Sequence, residues 1–214
     1  MLVKICGIRE NEDLISISQM KVDYVGFIFV PTSPRDASGK LIPGLLELYS
    51  QSSPNMKKVG VFVDADINEI FDHIEKFHLN AVQLHGNESV DTCSVLSDEV
   101  EVIKAIKISS AEDFAAAEHY EGVVSKFLFE AAGPLNGGNG IQFDWSLLNS
   151  YEGSTPFLLS GGIGPEDAIK ILEIAHPQFV GIDINSKFEE YPGKKNISSL
   201  TTFVNTFKPK PNGI

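Results

Sequence analysis

Short runs of β-branched and aromatic residues alternate with helix-length amphipathic segments along the whole chain, at a spacing of roughly 20 to 35 residues. The pattern predicts strands at Val3–Cys6, Tyr24–Phe29, Lys58–Val63, Ala81–His85, Val100–Ile106, Lys126–Glu130, Phe157–Ser160 and Phe179–Ile184. Between and after them it predicts helices, among them Glu12–Met20, Ile67–Phe77, Ser89–Leu96, Pro165–Ile174 and Ser198–Phe207, each opening near Asn, Asp, Ser or Gly. A strand followed by a helix, repeated eight times, places the chain in the α/β class with a parallel sheet. Eight such units in a chain of 214 residues favour closure into a (β/α)8 TIM barrel over the alternative, an open doubly wound sheet. The expected organisation is a single barrel domain over residues 1–207 with a frayed tail over 208–214. Two Gly/Pro-rich loops, Val30–Lys40 after the second strand and Ala131–Gln142 after the sixth, are longer than a βα connection requires. In a barrel both fall on the rim formed by the carboxyl ends of the strands.

That rim is where a barrel carries its chemistry, and the strand ends in this chain are polar. Side chains on a strand alternate, so Lys4 and Cys6 share the barrel-facing side while Val3 and Ile5 face the helices. By the same count Gln83 pairs with His85, and Lys126 and Leu128 with Glu130, while Phe127 and Phe129 pack outward. Two readings of Cys6 stand side by side: a small core residue, or a base whose thiolate is favoured by a cation such as Lys4 one layer below. Cys93 sits at helical spacing with Val90 and Leu96 and reads as core. His85 has no His, Cys or carboxylate companion at metal-ligand spacing, so no metal site is indicated. After the seventh strand comes Gly161-Gly162-Ile163-Gly164-Pro165, in which the glycines admit close approach of an anion and Pro165 suits a first helical position. With Asn185 and Ser186 after the eighth strand, this forms a candidate phosphate cradle.

Charge narrows the partners. The formal net charge of −12 and the isoelectric point near 4.8 oppose gripping nucleic acid or an anionic membrane, so a phosphate must be held by local groups. No apolar stretch approaches the roughly 20 residues that span a bilayer. The opening MLVKICGIRE lacks the pattern of a secretory leader, and a cytoplasmic location is expected. Cys6 and Cys93 are expected to be free thiols.

The ordered segments KICGI, DYVGFIFVPTSPR, VGVFVD, AVQLHG, GGNGIQFDWSLL, FLLSGGIGPEDA and GIDINSKFE cover nearly the whole chain, and as a set they resemble the phosphoribosylanthranilate isomerase family of tryptophan biosynthesis. The resemblance implies an Amadori rearrangement of N-(5-phosphoribosyl)anthranilate to the 1-deoxyribulose 5-phosphate product, with no metal and no organic cofactor. Carried over by motif, Cys6 is the general base, Arg35 pairs with the anthranilate carboxylate, His85 and Asp183 are pocket residues, and Gly161, Gly162, Asn185 and Ser186 hold the phosphate. The sixth strand usually ends in an Asp that acts as general acid, and here that position is Glu130. Lys187 stands where Gly is often found, and Asn185 where Ser is common. The expected partner is a small phosphorylated substrate, not nucleic acid or membrane, and monomer and homodimer both remain open. Two rival readings are another sugar-phosphate barrel isomerase or epimerase with a different acid/base pair, and a non-catalytic barrel that binds a phosphorylated ligand.

Overall fold

The computed structural model describes residues 1–133 and 140–208, with the backbone alone over 49–52. The expected rim loop Ala131–Gln142 therefore lies partly, and the expected tail Lys208–Ile214 almost wholly, outside the described residues. Eight parallel strands close into one barrel: β1 (Leu2–Ile5), β2 (Tyr24–Ile28), β3 (Lys57–Phe62), β4 (Ala81–Leu84), β5 (Glu101–Ile108), β6 (Lys126–Ala131), β7 (Phe157–Leu159) and β8 (Phe179–Ile184), with β8 pairing back onto β1. The barrel is the predicted one, and the open sheet is excluded by that last pairing.

The helices are α1 (Asn11–Ser18), α2 (Pro43–Ser52), α3 (Ile67–Phe77), α4 (Val90–Ser97), α5 (Ala115–Glu118), α6 (Ala168–Leu172) and α7 (Ile197–Phe207). Their starts follow the expected chemistry, with Asp66, Ser89 and Asn196 side chains accepting from backbone N–H groups in the first turns of α3, α4 and α7. The expectation of a helix after every strand needs correction at β6. There the described chain forms only a 3-10 segment, Trp145–Ser150, opened by an Asp144 cap on the Ser146 N–H. Asn149 and Ser150 are poor helix formers, and Tyr151 beyond them is buried with its hydroxyl committed to Glu121 and the Thr155 carbonyl. The helix expected over Pro165–Ile174 likewise begins as a 3-10 turn over Pro165–Asp167, and α6 runs only to Leu172.

Alternation along the strands divides the core in two. Val3, Ile5, Phe127 and Phe129 pack outward against the helices, as their positions predict. Inside the barrel Tyr24, Val59, Ala81, Ile103, Leu128 and Leu158 form an apolar plug. Below the plug, Glu101 accepts from Tyr24, Lys57 and Lys126 at 2.9, 2.7 and 2.6 Å, closing the amino-terminal end. Above it the interior turns polar. The sequence did not lead us to expect a small antiparallel hairpin, β9 (Glu189–Tyr191) and β10 (Lys194–Lys195), between β8 and α7. Asp13 of α1 anchors it, accepting from Lys194 Nζ at 2.7 Å and from the Lys195 N–H at 2.8 Å.

Candidate active site

The upper interior layer begins with Lys4, which is fully buried and donates to Asp183 at 2.9 Å; Asp183 also accepts from Ser160 at 3.2 Å. Gly26 on the neighbouring strand makes this layer possible, because a Cβ there would stand 2.9 Å from Cys6 Sγ and 3.1 Å from Lys4 Nζ. Cys6 follows β1 directly, and its N–H still bonds to the Ile184 carbonyl at 2.9 Å, so the strand's backbone fixes the thiol at the mouth. Burial raises the Cys6 thiol above its ordinary value, and the Asp183 carboxylate adds to that rise. Lys4 and Lys195 pull the other way without reversing it. The cation expected beside Cys6 is thus present, but in the free protein it does not make Cys6 a low-pKa thiol.

Across the mouth, His85 Nε2 meets Glu130 Oε1 at 2.5 Å and His85 Nδ1 meets the Gln83 amide nitrogen at 2.9 Å. All three side chains are buried. The chain segment carrying His85 is held from behind by Lys104, whose ammonium donates to the carbonyls of Leu84 and Gly86 at 3.3 and 2.7 Å and to Glu88 at 2.9 Å. Glu88 in turn accepts from the backbone N–H groups of Asp64 and Gly86. His85 is therefore mounted on a rigid strand end.

The Gly-rich turn after β7 has Gly161 at φ +90° and Gly162 at φ +64°, the left-handed region where a side chain is strained. A Cβ on either would also collide, with the Ala131 nitrogen at 2.9 Å and the Ile141 carbonyl carbon at 2.7 Å. Gln142 pins the crossing segment by donating to the Gly162 carbonyl at 3.1 Å and to Asp167 at 2.6 Å. Asp167 also takes the Gly164 N–H at 2.8 Å, so that amide is committed within the turn and not turned toward a ligand.

Arg35 lies on the rim loop after β2, and it is not a free, solvated charge there. Its side chain is 12% exposed, donating to Glu189 from Nε at 3.0 Å and from Nη2 at 2.7 Å. Lys195, buried beside it, donates to Glu189 at 2.9 Å and to Asn185 Oδ1 at 2.7 Å. Burial opposes ionisation of Glu189, yet its two cationic partners hold the carboxyl below its usual range. Burial lowers Lys195, with Glu189 and Cys6 partly offsetting the effect. Sequence reading missed Glu189 and Lys195. The one local signal was Tyr191-Pro192-Gly193, a turn flanked by runs too short to show a strand period.

Cys6, Gln83, His85, Glu130, Arg35 and Asp183, with Gly161, Gly162, Asn185 and Ser186, all line one cavity of about 320 Å³ at the carboxyl ends of the strands. Each sequence-predicted site residue is thus brought to the same mouth. Among the described residues, no group of three or more His, Cys, Asp or Glu side chains is gathered as a metal site, and no helix is long and apolar enough to cross a membrane.

A closed parallel barrel with titratable groups and a glycine turn converging on its carboxyl-end mouth defines a (β/α)8-barrel enzyme. The family model described as N-(5'phosphoribosyl)anthranilate (PRA) isomerase matches residues 3–206. The isomerase of Parabacteroides distasonis is 42% identical over 205 residues, covering 95% of this chain and 92% of that one. The isomerase of Phocaeicola vulgatus is 39% identical, covering 98% and 99%. Among solved structures, phosphoribosyl anthranilate isomerase from Thermotoga maritima is similar with a TM-score of 0.82 at 32% identity, covering 98% of this chain and 100% of that one. A structure of the isomerase in complex with reduced 1-(o-carboxyphenylamino)-1-deoxyribulose 5-phosphate matches with a TM-score of 0.81 at 32% identity, over 98% and 100% of the two chains. The chain belongs to the N-(5′-phosphoribosyl)anthranilate isomerase family.

Proposed function

We propose that this chain performs the family's Amadori rearrangement in tryptophan biosynthesis, converting N-(5-phosphoribosyl)anthranilate to 1-(2-carboxyphenylamino)-1-deoxyribulose 5-phosphate, with Glu130 as general acid and Cys6 as general base. The observation that carries this reading is a carboxyl group hydrogen-bonded to His85 and a thiol flanked by two ammonium groups, both lining one cavity. Ring opening needs a proton on the ribose ring oxygen, which a carboxylic acid supplies. The electron pair of the ring C–O bond leaves with that oxygen, and the anilino nitrogen forms an iminium at C1′. Proton loss from C2′ to a thiolate then gives the enolamine, which tautomerises to the ketone. Cys6 is held as a thiol in the free protein by burial. The iminium adds a positive charge near the thiol at the step that requires a thiolate, so its effect joins those of Lys4 and Lys195.

The same site accounts for binding. The phosphate of the substrate is assigned to the turn at Gly161–Gly162 with Asn185 and Ser186, and the anthranilate carboxylate to Arg35. Glu189 and Lys195 hold Arg35 and Asn185 in place before substrate arrives, which reduces the ordering cost of binding. The chain would act in the cytoplasm on a small phosphorylated metabolite. Mixing purified protein with freshly prepared phosphoribosylanthranilate and following loss of anthranilate-type fluorescence tests the reading. Catalytic turnover is expected; saturable binding without turnover would assign the barrel to ligand binding instead.

A further inference from the structure

Gln83 carries an unexplained feature. It is buried, its amide nitrogen bonds to His85 Nδ1 at 2.9 Å, and its Oε1 is buried with no hydrogen-bond partner among the described residues. An unpaired acceptor in the interior is costly, so its persistence calls for a reason. Turning the amide over would let Oε1 accept from a protonated Nδ1. It would also move the NH2 group into the partnerless position, leaving both amide hydrogens unpaired, whereas now one of them is taken up by Nδ1. The structure places the amide nitrogen against Nδ1, and a donor there requires that this ring nitrogen carry no proton.

We infer that Gln83 is a positioning residue that fixes His85 in its Nε2–H tautomer and thereby directs the transferable proton of Glu130 to the oxygen facing away from His85. The inference rests on the assignment of Glu130 as general acid. With Nδ1 occupied as an acceptor, Nε2–H donates to Glu130 Oε1. Oε1 is then committed as an acceptor, and the acid proton resides on Oε2. When Glu130 has given that proton up, its carboxylate keeps the Nε2–H bond, now assisted by charge. The opposite tautomer would make Nε2 an acceptor and draw the acid proton onto Oε1, toward the imidazole and away from substrate.

The experiment is nitrogen-15 NMR of the histidine side chains in the ligand-free protein, with resonances assigned by His85→Asn, together with steady-state kinetics of Gln83 variants. The parent is expected to show His85 protonated at Nε2 and bare at Nδ1. Gln83→Glu places an acceptor beside Nδ1, so Nδ1 should become protonated and kcat should fall by about 10-fold or more with KM little changed. Gln83→Met keeps the volume and removes the donor. It should give mixed tautomers and an intermediate kcat, and it keeps the test open should Gln83→Glu not fold. A parent protonated at Nδ1, or a folded Gln83→Met protein with the parent's tautomer and the parent's kcat, overturns the inference. The tautomer is read without turnover, so an active Glu130→Gln protein would remove the acid assignment independently of what the spectra show.

Discussion

Cys6 illustrates how one residue's environment can resist the role its position suggests. Its side chain lies over an ammonium group, yet burial and the Asp183 carboxylate outweigh both lysines and keep the thiol protonated beyond its ordinary range. In a Cys93→Ala background, which removes the other buried thiol, alkylation of Cys6 by iodoacetamide should be slow at neutral pH and still be climbing at pH 9, where a free thiol is levelling off. A plateau reached near pH 7 would show instead that the lysines prevail. Gly26 is the counterpart of this design: it contributes no chemistry and supplies the space in which Lys4 and Cys6 sit. The alternation of side chains made the company of Lys4 and Cys6, and of Gln83 and His85, legible from the chain alone. The balance between burial and cations was not, because it depends on Asp183 and Lys195, which come from distant parts of the chain.

At the level of elements, the strands were readable because β-branched and aromatic runs bounded by turn residues have few competing interpretations. Several expected ends extend one residue beyond the ladder for a simple reason. Cys6, His85 and Ser160 lie outside β1, β4 and β7, yet each N–H is bonded to a carbonyl of the adjacent strand. The hairpin of β9 and β10 was not readable, since strands of three and two residues show no periodicity and their partner Arg35 lies 154 positions from Glu189. This hairpin is more than a connection. Glu189→Gln would leave buried Lys195 without its anion and Arg35 without its anchor, and should cost about 3 kcal/mol in urea unfolding. It should raise KM for substrate more than it lowers kcat if Arg35 has its proposed role of binding the anthranilate carboxylate without transferring protons. Unchanged KM would detach the hairpin from substrate binding.

For the whole molecule, the barrel separates stability from chemistry along its axis. The apolar plug lies in the middle, the candidate site above it and the Glu101 cluster below. Burial works against the Glu101 carboxylate, but Lys126, Lys57 and Tyr24 together lower its pKa. A lowered folded-state value means that this stabilisation is complete above the unfolded value of about 4.3 and is lost as pH falls through the folded one. Glu101→Gln should therefore destabilise the protein by about 2 kcal/mol at pH 7, with a shrinking difference from the parent below pH 4 and no change in kcat. A difference that grew on acidification would contradict this account of the lower cluster.

The central claim is that the proton for ring opening comes from Glu130, one methylene longer than the aspartate usual at this place in the family. Its contact with His85 holds the longer side chain at the mouth. The direct measurement is kcat of Glu130→Gln alongside its Kd for the reduced product analogue. Gln preserves size and a hydrogen bond to His85 but has no transferable proton, so kcat should drop by at least about 100-fold while the Kd stays within a few-fold of the parent. A folded Glu130→Gln protein that turns over substrate at a rate near the parent's would contradict the claim.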